Sequence, residues 1–188
     1  MPCTLSSGRL LQCKDKIGGI KTIFIANHDL FTTGVVIDPT VPSSGEISAL
    51  PSITPALTVY RYELSQGVGD FIETITSSVE NGTVFWEQVV NISLMQLTAA
   101  DRLELQNVAQ TRLALFVLDN NDNIWMVGQY DSAELTAGTA ATGTAKGDAN
   151  GYTLTFTASE KLPARRVESY DAVPFDNSAF NITVEPSY

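Results

Sequence analysis

Short stretches of alternating apolar and polar residues, punctuated by glycine, proline, asparagine and aspartate, run along most of this chain. Alternation with period two sends successive side chains to opposite faces of a strand, so it predicts half-buried β-structure. The clearest case is residues 83–94. Val84, Trp86, Val90, Ile92 and Leu94 fall on one face there, and Glu87, Asn91 and Ser93 on the other. Residues 56–64 set Leu57, Val59, Arg61 and Glu63 against Thr58, Tyr60, Tyr62 and Leu64. Residues 69–79 form a Thr- and Ile-rich strand. Asn81-Gly82 then predicts a tight hairpin turn, because both residues accept positive φ. Tyr152, Leu154 and Phe156 line one face of a strand at 152–158. Further strands are expected at 21–27 (KTIFIAN) and, as a hairpin around Asp119–Asn123, at 112–118 and 124–130.

One stretch keeps helical spacing instead. Thr98 is suited to cap a helix, Asp101 stands where a capping-box acid belongs, and Leu105, Val108, Ala109 and Leu113 share one face, which predicts a helix over 98–111. Three segments have no clear period. Residues 30–56 hold Pro39, Pro42, Pro51 and Pro55 around Ser43-Ser44-Gly45, with strand fragments at 34–37 and 46–50, and are expected to form a loop or arm. Residues 135–146 (LTAGTAATGTAK) are low in complexity, and residues 138–151 read as a flexible loop of small residues. Residues 165–188 read as a C-terminal extension with one edge strand near 180–184. Seven to ten strands and one helix define a mainly β class: a single domain over 1–188, built as a β-sandwich or barrel with the helix on its flank.

Composition narrows the classes of function. The 188 residues carry a net charge of −10, with 44% hydrophobic and only 17% charged residues, and the pI is near 4.4. Affinity for phosphates rests on Lys and Arg, so this balance argues against a nucleic-acid binder and against an anionic membrane surface. No apolar run reaches the ~18 residues of a membrane span, and the N-terminal residues lack the apolar core of a signal peptide. Cys3 and Cys13 have no metal-ligand spacing with His28, the single histidine, and are expected as free thiols.

Candidate chemistry is sparse. A catalytic Ser-His-Asp or Cys-His set has only His28 to build on. The 119–123 run has calcium-loop residue types but lacks the glycine and distal Glu of such a loop, and Asn and Asp suit hairpin turns for conformational reasons. The glycines of 138–151 lack the phosphate-loop pattern, and a strand rather than a helix follows them. No catalytic, cofactor-binding or metal residues are therefore assigned, and no cofactor is expected.

Three stretches, CKDKIGGIKTIFIAN, then NGTVFWEQVV with LTAADRLELQNVAQTRLALFVLDNN, and LTAGTAATGTAKGDANGYTLTFTASEKLPA, give the chain a resemblance to tail tube-like virion proteins of tailed bacteriophages. The resemblance covers under half the chain and includes no catalytic motif. It implies a β-sandwich with a flanking helix, six copies pooling strands into a ring, rings stacked into a tube, and a place in the virion beside other tail proteins. DNA would pass through such a tube without specific binding. An acidic lumen fits that passage, and Glu73, Glu80 and Glu87, on or beside the long strands, are the candidate lumen-lining residues. Head-associated, connector or baseplate roles share these features. A carbohydrate-binding module with Trp86, Trp125, Tyr60 and Tyr62 as its platform is the alternative from another class.

Overall fold

The computed structural model describes residue 9 and residues 13–31, 36–37, 45–50, 57–176 and 180–187. The chain is mainly β, with two sheets and one α-helix among these residues. In chain order the strands are β1 (Ile20–Asn27), β2 (Val36–Ile37), β3 (Ile47–Ala49), β4 (Leu57–Glu63), β5 (Gly69–Ser78) and β6 (Thr83–Met95). After the helix α1 (Ala99–Val108) come β7 (Leu113–Asp119), β8 (Ile124–Val127), β9 (Glu134–Ala141), β10 (Gly151–Glu160), β11 (Arg165–Val167) and β12 (Ile182–Glu185). One sheet has eight strands in the order β12-β4-β1-β7-β8-β11-β3-β2; the other has four, β5-β6-β10-β9.

The two sheets differ in how their faces are used. In β7 every residue from Leu113 to Leu118 is buried. Leu113, Leu115 and Val117 point toward the four-stranded sheet, where they meet Ile23 and Ile25 of β1, Val90 and Ile92 of β6, and Leu154 and Phe156 of β10. Ala114, Phe116 and Leu118 point the other way, into a second core with Phe24, Ile47, Leu57, Val59, Met126 and Val167. A strand buried on both faces reads as a continuous apolar run, as RLALFVL does. Strands β3 and β4 are far apart in sheet order yet share this second core, so the larger sheet curls around it. Phe175 and Phe180 complete it. The Phe175 ring meets Phe24 and Phe116 edge-on at centroid distances of 5.1 and 5.2 Å. Part of the expected C-terminal extension thus supplies core side chains, and β12 adds in parallel to β4.

Helix α1 is three residues shorter than its pattern predicts at the C-terminal end. Thr98 caps it as expected, its hydroxyl accepting from the Asp101 N–H at 3.1 Å. The helix stops at Val108, and Leu113 belongs to β7 instead of to the helical face. The stretch read as a flexible loop at 138–151 is corrected at both ends: residues up to Ala141 form β9 and Gly151 opens β10, paired through Thr139↔Thr153 and Ala141↔Gly151. Its small residues gave no apolar alternation, and the ladder offered by β10 decides its conformation. The hairpin falls where Asn81-Gly82 predicts it, but its loop is four residues, 79–82, with Ser78 opposite Thr83, and of the expected pair only Gly82, at φ 62°, adopts positive φ. Most of the proline-rich 30–56 stretch, and Cys3, lie outside the described residues; Cys13 is exposed.

Candidate functional site

The four-stranded sheet sends one face to the core and the other to solvent. Its register fixes which side chains go where. Opposite each other on the inner face stand Phe71 and Val90, Leu154 and Ile92, and Phe156 and Val90. On the outer face Asp70 lies opposite Asn91, Thr74 opposite Glu87, Thr76 opposite Phe85, Thr155 opposite Asn91, and Ser159 opposite Glu87. Hydroxyls tie neighbouring strands there. Thr155 Oγ1 donates to Asn91 Oδ1 at 2.9 Å, and the Thr136 and Thr157 hydroxyls are 2.9 Å apart. None of the four strands contains a Lys or an Arg, while Asp70, Glu87 and Glu134 bring carboxylates to this side.

Both edges of this sheet are open among the described residues, since β5 and β9 each have one partner. All three pairings are antiparallel, so β5 and β9 run in opposite directions. Neither carries the lysine or proline that commonly blunts an edge. The β5–β6 hairpin also shows apolar side chains to solvent: Ile72, Ile75, Val79, Val84 and Phe85 are exposed, Val79 at 96%.

The three candidate glutamates occupy different settings. Glu87 is on the outer face. Glu73 pairs with Gln88, whose buried side chain defines the inner face, so Glu73 and Glu87 lie on opposite sides of the sheet. Glu73 Oε1 accepts from Gln88 Nε2 at 3.1 Å and from the Ala164 N–H at 2.7 Å, which fastens the β10–β11 connection to β5. Glu80 sits in the exposed hairpin turn. Glu87 alone of the three therefore belongs to the open face. The sequence pattern could have separated Glu73 from Glu87 once the Asn81-Gly82 turn fixed the register.

Buried polar groups hold the sheets together. Gln88 Oε1 accepts from the Gly128 N–H at 3.3 Å. Glu160, at the end of β10 and 1% exposed, accepts from the N–H groups of Tyr130 and Asp131 at 2.9 and 3.1 Å. Burial pushes its carboxyl above the usual range; those two hydrogen bonds oppose the shift, and the nearby Asp131 charge adds to it. Gly128 adopts φ 73° here, and a side chain on it would run into the backbone of Ser132 and Ala133. In the 119–123 turn, Asp119 accepts from the backbone of Asn121 and Asn123, the Asn123 amide and, at 3.2 Å, the Trp125 indole. Burial raises this carboxyl, yet the hydrogen bonds outweigh it and hold it below its ordinary value. Asp119 thus serves the turn's own backbone, as an Asx turn does.

The geometry brings together no nucleophile and base around His28, which is buried and whose ring nitrogens have no hydrogen-bond partner among the described residues. No group of three or more His, Cys, Asp and Glu among them is placed to hold a metal ion, and no helix among them is long and apolar enough to cross a membrane. The four aromatic residues of the sugar-platform reading are dispersed: Tyr60 and Tyr62 on β4, Trp86 on the inner side of β6, and Trp125 on β8 with its indole held by Asp119. A cavity of about 380 Å³ lies between β5 and the start of β1, lined by Ile17, Ile20, Phe71, Glu73, Asp119 and Trp125.

What the fold and these surfaces define is a two-sheet β-protein whose most distinctive feature is an open, cation-free sheet. No family model, no curated protein and no solved structure matches the chain.

Proposed function

We propose that this chain is a structural subunit of a tailed-bacteriophage virion: a tail tube protein whose copies close into rings, six to a ring by resemblance, that stack into the channel through which DNA leaves the particle. The role is architectural and non-catalytic. The observation that carries this reading is the four-stranded sheet, with its hydroxyl-rich outer face free of Lys and Arg and its two edges unpaired among the described residues. Because β5 and β9 run in opposite directions, rotating one copy about an axis roughly along the strands sets β9 beside the next copy's β5 in antiparallel order. That arrangement pairs both edges at once and extends the sheet around the ring, which removes the edges altogether.

The outer faces would then form a wall of mostly Thr, Ser and Asn, with Ile72 and Phe85 among them and Asp70, Glu87 and Glu134 as its charges. Phosphates meeting such a wall find no cation to hold them. Negative-stain images of the purified full chain should show rings or tubes. A protein that stays monomeric at every concentration, and in the particle, overturns the reading.

A further inference from the structure

The chain contains two Asn-Gly pairs, Asn81-Gly82 and Asn150-Gly151. Such pairs are prone to spontaneous deamidation, because glycine has no side chain to hinder attack by its backbone nitrogen on the preceding amide. Both asparagines are exposed, so access of water does not separate them. Their backbones do. The reaction needs the peptide between the two residues to rotate until the glycine nitrogen faces the asparagine Cγ.

Asn81-Gly82 lies in the four-residue loop, 79–82, that joins β5 to β6. The last pair of that ladder is Ser78 with Thr83, while β10 ends opposite Trp86, so the hairpin tip projects beyond its neighbouring strand. Every residue from Val79 to Phe85 is exposed. A Cβ built on Gly82 would meet nothing within 4 Å. The Asn81 N–H donates to Ser78 Oγ at 3.3 Å, but its side-chain amide has no hydrogen-bond partner among the described residues.

Asn150-Gly151 has the same residues in a different frame. Gly151 opens β10 and is paired on both sides, with Met95 of β6 and Ala141 of β9. The Asn150 carbonyl accepts from the Gln96 N–H at 2.8 Å. A Cβ on Gly151 would collide with the Leu94 carbonyl, so β6 packs directly against this glycine's backbone. Rotation of this peptide requires the start of β10 to leave its ladder.

We infer that Asn81 is a site of self-modification and that the sheet protects Asn150 from the same chemistry. The Gly82 backbone nitrogen attacks Asn81 Cγ and gives up its proton. The Cγ–Nδ2 bond breaks and ammonia leaves, closing a succinimide ring. Water then opens the ring. Addition at Cγ yields aspartate; addition at the Asn81 backbone carbonyl carbon yields isoaspartate, with the chain running through Cγ. Neither route needs an oxidant, a reductant or a cofactor. Either product sets a new carboxylate beside Glu80, among the exposed Ile75, Val79, Val84 and Phe85. The hairpin tip therefore gains negative charge as the subunit ages. This chemistry is independent of the assembly reading.

The test is peptide mapping of the folded full chain held in mildly alkaline buffer, beside a sample held in urea. Trypsin separates the two sites, since Tyr62–Arg102 carries Asn81 and Gly147–Lys161 carries Asn150. In the folded chain the first peptide should gain the amide-to-acid mass change, and an isoaspartate isomer, at least about tenfold faster than the second, because Gly151 must first open from its ladder. In urea the two rates should converge, as each site is then an unhindered Asn-Gly. Asn81→Ser removes the amide from an exposed turn; it should abolish the rapid change in the first peptide and leave thermal unfolding as in wild type. If Asn81 stays intact in the folded chain while converting in urea, the hairpin holds its amide away from Gly82 and the inference is overturned. It falls equally if Asn150 converts as fast as Asn81 in the folded chain. Persistence of the rapid change in Asn81→Ser would place the reaction at another amide of that peptide and overturn the assignment.

Discussion

Single side chains in this protein are spent on holding turns and connections, and their titration has definite signs. Asp119 accepts hydrogen bonds from Asn121, Asn123 and Trp125. Asp119→Ala leaves those donors in a half-buried turn and should lower stability by about 1–3 kcal/mol in urea unfolding. Its folded-state carboxyl is held below the ordinary value. The stability it contributes is therefore present above its unfolded value, near 3.9, and is lost as pH falls through the folded one. Glu160 behaves in the opposite sense, because burial raises its carboxyl. Its contribution is present below the unfolded value, about 4.3, and is lost as pH rises through the folded one. Glu160→Gln cannot ionise, so its stability relative to wild type should increase with pH across that window. Denaturant midpoints at a series of pH values from 4 upward check this, and a difference that stays flat would show that Glu160 is not desolvated as described.

At the scale of elements, the two edge strands carry the most consequence. Ala140 of β9 stands opposite the core residue Tyr152 yet is itself exposed. Ala140→Lys places an inward-pointing charge on an edge, a device that blocks strand addition without burying anything in the subunit. Sedimentation should show it folded and monomeric where wild type assembles. The cap of α1 gives a smaller effect: Thr98→Ala should cost about 1 kcal/mol, since the Asp101 N–H loses its acceptor. That cap was legible from residue types alone, as were the faces of β6 and β10, where large apolar residues alternate with Thr, Asn and Glu. Strand β9 was not legible, because Ala, Gly and Thr give no contrast between faces and its pairing comes from a partner strand. Nor was β11, a three-residue strand that is defined only by its pairing with β8 and β3. The candidate site was read in part: carboxylates on long strands pointed to a charged face, but register alone separates Glu87 from Glu73.

For the whole molecule, the channel reading assigns each of the three glutamates a distinct consequence. Glu87 lies on the outer face between Thr74 and Ser159. In a ring it would repeat once per subunit, so Glu87→Lys converts a ring of negative charges into a ring of positive ones. Each phosphate passing it then gains a cation neighbour, and such contacts weaken steeply as salt rises. Ejection of DNA from particles carrying Glu87→Lys should be slowed or blocked at low salt and recover at higher salt, with tubes still formed. Glu73 faces the other way and fastens Ala164 and Gln88; Glu73→Lys should instead lower subunit stability. Glu80 sits in the hairpin turn beyond the sheet's paired region, so Glu80→Lys should affect ejection less than Glu87→Lys. Asp171→Lys, an exposed change in the segment that follows β11, is the control and should leave ejection unchanged. Particles in which Glu87→Lys tubes form normally and eject at the wild-type rate at every salt concentration would remove the outer face from the channel. A head-associated or connector role would then account better for the open sheet.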